Sequence, residues 1–225
     1  MVAGSSIAER IASIQGRIAA ACARVARDPR GVTLVAVSKT FPPAAVAEAY
    51  RAGLRHFGEN RVQEAEEKVR QVSALGATPV WHLVGHLQTN KARTAAGLFA
   101  IIHSIDSVRT AEALSRHTQG TLPVFLEVNV AGEANKSGVA PEDVAALWKA
   151  VQGLTHIQVL GLMTVAPLAA DPEAVRPVFR RLRELRDGLG LAGLSMGMTD
   201  DFEVAIEEGA THVRIGRAIF GARPA

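Results

Sequence analysis

The sequence predicts an α/β protein built as a single (β/α)8 barrel of the TIM type. Eight short runs of β-branched or aliphatic residues recur along the chain, and between them lie helix-like segments long enough to cross between parallel strands. The composition agrees: 48% of the residues are hydrophobic but only 4% aromatic, the mixture expected of small aliphatic strands packed under helices. At 225 residues the chain can bury one well-filled core, and no polar linker sets off a second. Residues 1–225 are therefore expected to form one domain, with 1–30 as an N-terminal helical extension and 31–225 as the barrel.

The first element is a helix. Ser6 followed by Glu9 makes a capping box, and Ile7, Ile11, Ile14, Ile18 and Val25 then recur at helical spacing. Such a stripe suits a helix laid across the barrel, and an oligomerisation seam would give the same pattern. Cys22, four residues after Ile18, reads as a small core residue, and a lone cysteine cannot form a disulfide framework. Strands are expected at 32–38, 55–58, 80–85, 101–105, 123–129, 158–163, 191–196 and 213–216. Helices are expected at 43–52, 61–72, 89–96, 108–118, 141–152, 174–189 and 200–208. A doubly wound open sheet is the alternative arrangement of the same elements.

The formal charge of +3 is spread along the chain. Arg180, Arg181, Arg183 and Arg186 alternate with Leu182, Glu184, Leu185 and Asp187 as a solvated helix face would, so no nucleic-acid partner is expected. No apolar run approaches the roughly 18 residues of a membrane span, and residues 1–10 lack the order of a signal peptide. The expected location is the cytoplasm.

In a parallel barrel the reactive groups stand at the C-terminal ends of the strands. Lys39 directly follows the first apolar run, where apolar walls would lower its pKa and leave an amine able to attack an aldehyde. A surface lysine leading into Thr40-Phe41-Pro42-Pro43 is the plain alternative. The stretch from Ser195 to Asp201 passes from strand to helix through small residues, a junction whose free N–H groups suit a phosphate; Thr199 as N-cap, with Asp200, Asp201 and Glu203 answering the helix dipole, also explains it. Arg214 on the last strand precedes Gly216 and Arg217, a glycine turn that can bring backbone N–H groups to a phosphate. Asn60 is either a mouth residue or a helix N-cap with Gln63. His82 and His86 fall on a strand and its loop rather than one helix face, so no metal site is expected; His82 points inward and His86 shapes the mouth.

Taken together, Val35-Ala36-Val37-Ser38-Lys39-Thr40, His56-Phe57-Gly58-Glu59-Asn60-Arg61-Val62-Gln63-Glu64, Trp81-His82-Leu83-Val84-Gly85-His86-Leu87-Gln88-Thr89-Asn90-Lys91, Gly161-Leu162-Met163-Thr164, Ser195-Met196-Gly197-Met198-Thr199-Asp200-Asp201, Val213-Arg214-Ile215-Gly216 and Ile219-Phe220-Gly221-Ala222-Arg223 resemble the pyridoxal phosphate homeostasis protein family. The resemblance runs in one order over nearly the whole chain. It implies a fold-type III pyridoxal 5′-phosphate (PLP) barrel similar to the N-terminal domain of alanine racemase. It makes Lys39 the Schiff-base lysine, Ser195, Gly197, Gly216 and Arg217 the phosphate neighbours, and Arg214 the partner of the pyridine nitrogen. Asn60 would touch the ring or aldehyde side, and Met163 would line the pocket. A permanently charged guanidinium at the ring nitrogen disfavours its protonation and weakens the cofactor as an electron sink. The implied role is therefore to hold PLP and related B6 vitamers without turnover, influencing PLP supply and amino-acid balance, with apo-PLP enzymes as partners and a monomeric state.

Two enzyme readings stand against this. An amino-acid racemase of the alanine racemase design needs a tyrosine base from a second domain, whereas the chain stops soon after the last strand and its one tyrosine is Tyr50. A Schiff-base aldolase on a phosphorylated sugar would use Lys39 with Glu59 as the nearby acid or base.

Overall fold

The computed structural model describes residues 5–222; Arg223, which ends the last of the resembling segments, and the first four residues of the stretch read for a signal peptide lie outside them. Eight parallel strands close on themselves in sequence order: β1 (Thr33–Val37), β2 (His56–Glu59), β3 (Val80–Leu83), β4 (Ile101–Ile105), β5 (Leu122–Glu127), β6 (Ile157–Met163), β7 (Gly193–Ser195) and β8 (His212–Ile215). Closure is made by β1 beside β8, with Val35 opposite Arg214 and Ala36 opposite Ile215. This is the expected barrel, and the open sheet is excluded.

Around it lie α1 (Ile7–Arg24), α2 (Pro43–Arg51), α3 (Val62–Ala74), α4 (Ala92–Leu98), α5 (Val108–Ser115), α6 (Val144–Val151), α7 (Arg176–Gly188), α8 (Phe202–Glu207) and α9 (Arg217–Phe220). Residues such as Ala36, Phe57, Trp81, Leu83, Ile102, Leu126 and Leu162 point from the strands into the helix layer and form the main core. Burial of each such aliphatic side chain contributes roughly 1.5–3 kcal/mol.

The capping box forms as read, with Glu9 N–H donating to Ser6 Oγ and Ser6 N–H to Glu9. Ile7, Ile11, Ile14 and Ile18 are buried within the same chain, where α1 packs against α8 and α9. Val25 departs from the predicted stripe: it caps the helix and is 39% exposed. Arg17 pairs with Glu203 at 2.7 Å and Arg24 with Glu207 at 2.6 Å, fastening the outer edge of the same contact.

Four helix starts fall two or three residues after the expected ones: α6 begins at Val144 instead of 141, and the other three are displaced for local reasons. Residues 89–91 and 172–175 form single 3-10 turns, so α4 begins at Ala92 and α7 at Arg176. Helix α8 begins at Phe202, because the Asp201 carboxylate turns back to accept from Met198 N–H at 2.6 Å; Thr199 is not its N-cap. The arginines of α7 are more than a solvated face: Glu208 accepts from Arg176 and Arg180 and pairs with Arg183 at 2.9 Å.

Candidate functional site

The C-terminal ends of the strands surround a cavity of about 900 Å³, whose walls include Lys39, Asn60, His86, Glu127, Arg214 and Arg217. Lys39 is half-buried and follows the end of β1. Thr40 beyond it takes φ +69°, a left-handed conformation that a β-branched residue adopts only when its surroundings hold it there. Those surroundings are polar and buried. Ser38 Oγ donates to Glu59 Oε1 at 2.6 Å, and Lys68 Nζ, reaching in from α3, donates to the same oxygen at 2.7 Å and to Ser38 O at 2.8 Å. The turn that carries Lys39 is thus pinned by a buried ion pair. Glu59 is committed to that pair and does not line the cavity, which removes it as the acid or base of an aldolase.

Across the closing strands stands Arg214, buried on β8. It donates through Nη1 to Ser195 Oγ at 2.7 Å and through Nη2 to Thr164 O at 2.8 Å. Burial lowers its pKa to about 10, with Glu127 and Asp201 acting the other way, so it remains a cation at neutral pH. Glu127 ends β5 on the opposite side of the mouth. Burial and the nearby Asp106 push its carboxyl up to about 7, against the pull of Arg214 and His86. Its Oε2 has no hydrogen-bond partner among the described residues. His86 pairs with Asp106 at 3.1 Å on the rim.

Below the mouth the barrel interior is unusually polar. His56 Nδ1 meets His82 Nε2 at 2.9 Å, His82 Nδ1 meets His103 Nε2 at 2.8 Å, and His103 Nδ1 meets Ser195 Oγ at 2.7 Å. Burial holds His82 and His103 well below the usual imidazole range and lowers His212 to about 4, so these rings are neutral at neutral pH. His103 stacks on Phe125 with centroids 4.7 Å apart.

Of the residues singled out from the sequence, Lys39, Asn60, Arg214, Gly216 and Arg217 come together around the cavity. Asn60 makes no N-cap, since α3 begins at Val62 after Arg61. Gly216 sits where a Cβ would lie 3.0 Å from Val37 O, a close approach of two backbones. Arg217 is exposed and reaches Asp200 at 2.5 Å. Three others do not line the cavity. Met163 and Ser195 are buried at the ends of adjacent strands, in register with each other. Gly197 takes φ +91° under α8, where a Cβ would come within 2.6 Å of Ala205 Cβ; its carbonyl accepts from Arg214 N–H at 2.9 Å. Thr199, two residues on, does line the wall.

Sequence reasoning missed Glu127, Lys68 and His103. Glu127 ends an apolar run as Lys39 does, and the same rule about strand ends would have found it. His103 is a polar residue in Ile101-Ile102-His103-Ser104-Ile105, at the parity that faces the barrel axis. Nothing in the local pattern around Lys68 distinguishes it from a solvated helix lysine.

The model of the alanine racemase N-terminal domain family matches residues 11–224. The pyridoxal phosphate homeostasis protein of Pseudomonas aeruginosa is 50% identical over 224 residues, covering 97% of this chain and 96% of that protein. The chain belongs to the pyridoxal phosphate homeostasis protein family. Its Escherichia coli member is 42% identical, with 97% of each chain covered. Among solved structures, PipY of Synechococcus elongatus with PLP bound superposes with a TM-score of 0.83 at 38% identity, over 96% of this chain and all of that one. Alanine racemase from Corynebacterium glutamicum shares the fold, with a TM-score of 0.69 at 20% identity over 97% of this chain and 62% of that enzyme. Among the described residues no helix is long and apolar enough to cross a membrane.

Proposed function

We propose that this chain holds pyridoxal 5′-phosphate in the cavity at the barrel mouth, covalently through Lys39, and serves PLP homeostasis and amino-acid balance rather than catalytic turnover. The observation that carries this is the placement of a half-buried lysine amine and a buried guanidinium on neighbouring strands of one cavity wall. The donor set fits such a group: an amine for an aldehyde, Arg214 for an aromatic nitrogen, and Gly216, Arg217 and Thr199 clustered where a phosphate monoester needs donors. When bound, PLP supplies an aldehyde that a lysine amine can capture. The residues themselves orient and restrain. Lys68 and Glu59 fix the turn that presents Lys39, Asn60 stands on the ring side, and Arg214 stays cationic and so opposes protonation of a ring nitrogen beside it. Ser195 contributes through Arg214, Gly197 by admitting α8 and steadying β8, and Met163 from beneath the mouth.

A racemase would need a second base, and the one tyrosine, Tyr50, bonds Thr78 at 3.2 Å on the exposed face of α2. The proposed setting is a cytoplasmic monomer, one domain throughout, exchanging PLP and related B6 vitamers with apo-PLP enzymes.

The test is a visible absorbance spectrum of the purified full chain with added PLP, followed by borohydride reduction and mass analysis of the peptides. A visible band that disappears in Lys39→Ala, with the added mass on the Lys39 peptide of the parent protein, is expected. A protein that stays colourless with excess PLP and takes up no mass overturns the proposal.

A further inference from the structure

The row His56, His82, His103 and Ser195 crosses the barrel interior from the first residue of β2 to the last residue of β7, and the function proposed above leaves its histidines unused. A contact between two imidazoles can run either way, so its direction has to be set at one end. Arg214 sets it. A guanidinium only donates, so Ser195 Oγ receives Nη1–H at 2.7 Å. The one hydrogen of that hydroxyl then goes to the remaining partner, Nδ1 of His103 at 2.7 Å. His103 therefore carries its hydrogen on Nε2 and donates to Nδ1 of His82, and His82 in turn donates from Nε2 to Nδ1 of His56. In the opposite direction His103 would donate to Ser195, and a completely buried O–H would be left without an acceptor.

We propose that these residues form a one-way chain of neutral Nε2–H imidazoles that gives the Ser195 hydroxyl an acceptor while its oxygen receives Arg214, which makes His103 and His82 positioning residues for the guanidinium in the cavity wall. The surroundings support it. His212 flanks the row from β8 with its own Nδ1 turned to Thr211 Oγ1 at 3.0 Å, Phe125 stacks on His103, and Glu127 and Asp201 act on Arg214 rather than on the rings. Among the described residues no carboxylate is hydrogen-bonded to His56, His82 or His103, so nothing there stabilises an imidazolium. The open end is His56, half-buried at the base of β2. A proton taken up on its Nδ1 would oppose the Nε2–H of His82, force the row to reverse and leave the buried Ser195 O–H without an acceptor beside Arg214.

The direction is tested without ligand, by long-range 15N–1H correlation NMR of the full chain at pH 7.5. His82 and His103 are expected as neutral Nε2–H tautomers, and Nδ1–H signals at either would overturn the chain. Ser195→Ala removes the terminus and is expected to leave His103 a mixture of tautomers; an unchanged pattern would show that Arg214 does not set it. The positioning role rests on the PLP reading and is tested by affinity. His103→Leu is expected to weaken PLP binding about tenfold, and His103→Asn, which keeps an acceptor towards Ser195, to recover most of it. Equal affinity of His103→Leu and the parent would overturn the positioning role. Failure of the parent itself to bind PLP would sink the proposed function and leave the tautomer result standing.

Discussion

On the helix-facing side of the barrel wall, beneath Lys39, Lys68 and Glu59 meet as ions at 2.7 Å; inside the barrel, beneath Arg214, the polar contacts run through uncharged histidines. Each cluster supports a basic side chain in the cavity wall, and each is largely buried. The difference lies in what each holds. The Lys39 turn is backbone, and Lys68 can bind its carbonyl while a carboxylate holds Lys68. Among the described residues Arg214 is a charge with no carboxylate in hydrogen-bond contact, so it needs acceptors, and neutral groups supply them without adding a second buried charge. An ion pair is the stiffer support but fails badly when halved, whereas a neutral row loses one contact at a time.

The largest effect should come from halving the ion pair. Lys68→Met leaves the Glu59 carboxylate buried beside Ser38 with no counter-charge, and an unfolding titration should show a loss of about 3–5 kcal/mol. Adding Glu59→Gln to that variant should restore much of it, since neither ion then remains. A single variant within 1 kcal/mol of the parent would mean that the pair is not the stiff support described above.

The barrel and the pair differ in how far they could be read beforehand. Strand order and number follow from apolar runs and crossover lengths, which are local, and all eight strands fall where the runs lie. The strand-end rule likewise brought Lys39, Asn60, Arg214, Gly216 and Arg217 to one cavity. Less legible was which neighbour a strand-end side chain meets. Ser195 reads as a phosphate donor from its loop, yet its partners His103 and Arg214 are 92 and 19 residues away. The start of α8 was misplaced for a related reason, because Asp201 bonds backward to Met198 instead of serving a helix that begins earlier. Lys68 shows the limit: only the fold brings its amine to Ser38, 30 residues before it.

A second prediction separates the neutral row from the mouth by pH. The buried histidines have folded pKa values below their usual 6.5, so the unfolded chain binds protons first. Their contribution is fully present above about 6.5 and is lost as the pH falls towards the folded values, near 4 for His212. Glu127 has the opposite sign. Its carboxyl is raised from 4.5 to about 7, so its contribution is present below 4.5 and is lost as the pH rises through 7. Between about 4.5 and 6.5 the two slopes oppose each other, and chemical denaturation across that range should give a flatter profile than the histidines alone would produce.

Replacing Glu127 sharpens the contrast, with the smallest expected effect of the three. Glu127→Gln keeps the size of the side chain and removes its titration, so the gain in stability should grow with pH and level off near 7 at roughly 3 kcal/mol. The remaining profile should then fall more steeply as the pH drops from 6.5, exposing the histidine row by itself. If the variant and the parent run parallel from pH 4.5 to 7, the Glu127 carboxyl finds a partner that lowers its pKa, and the mouth carries a full negative charge on β5 opposite Lys39 at neutral pH. In that case both sides of the cavity would be ionic, and only the barrel interior would rely on neutral acceptors.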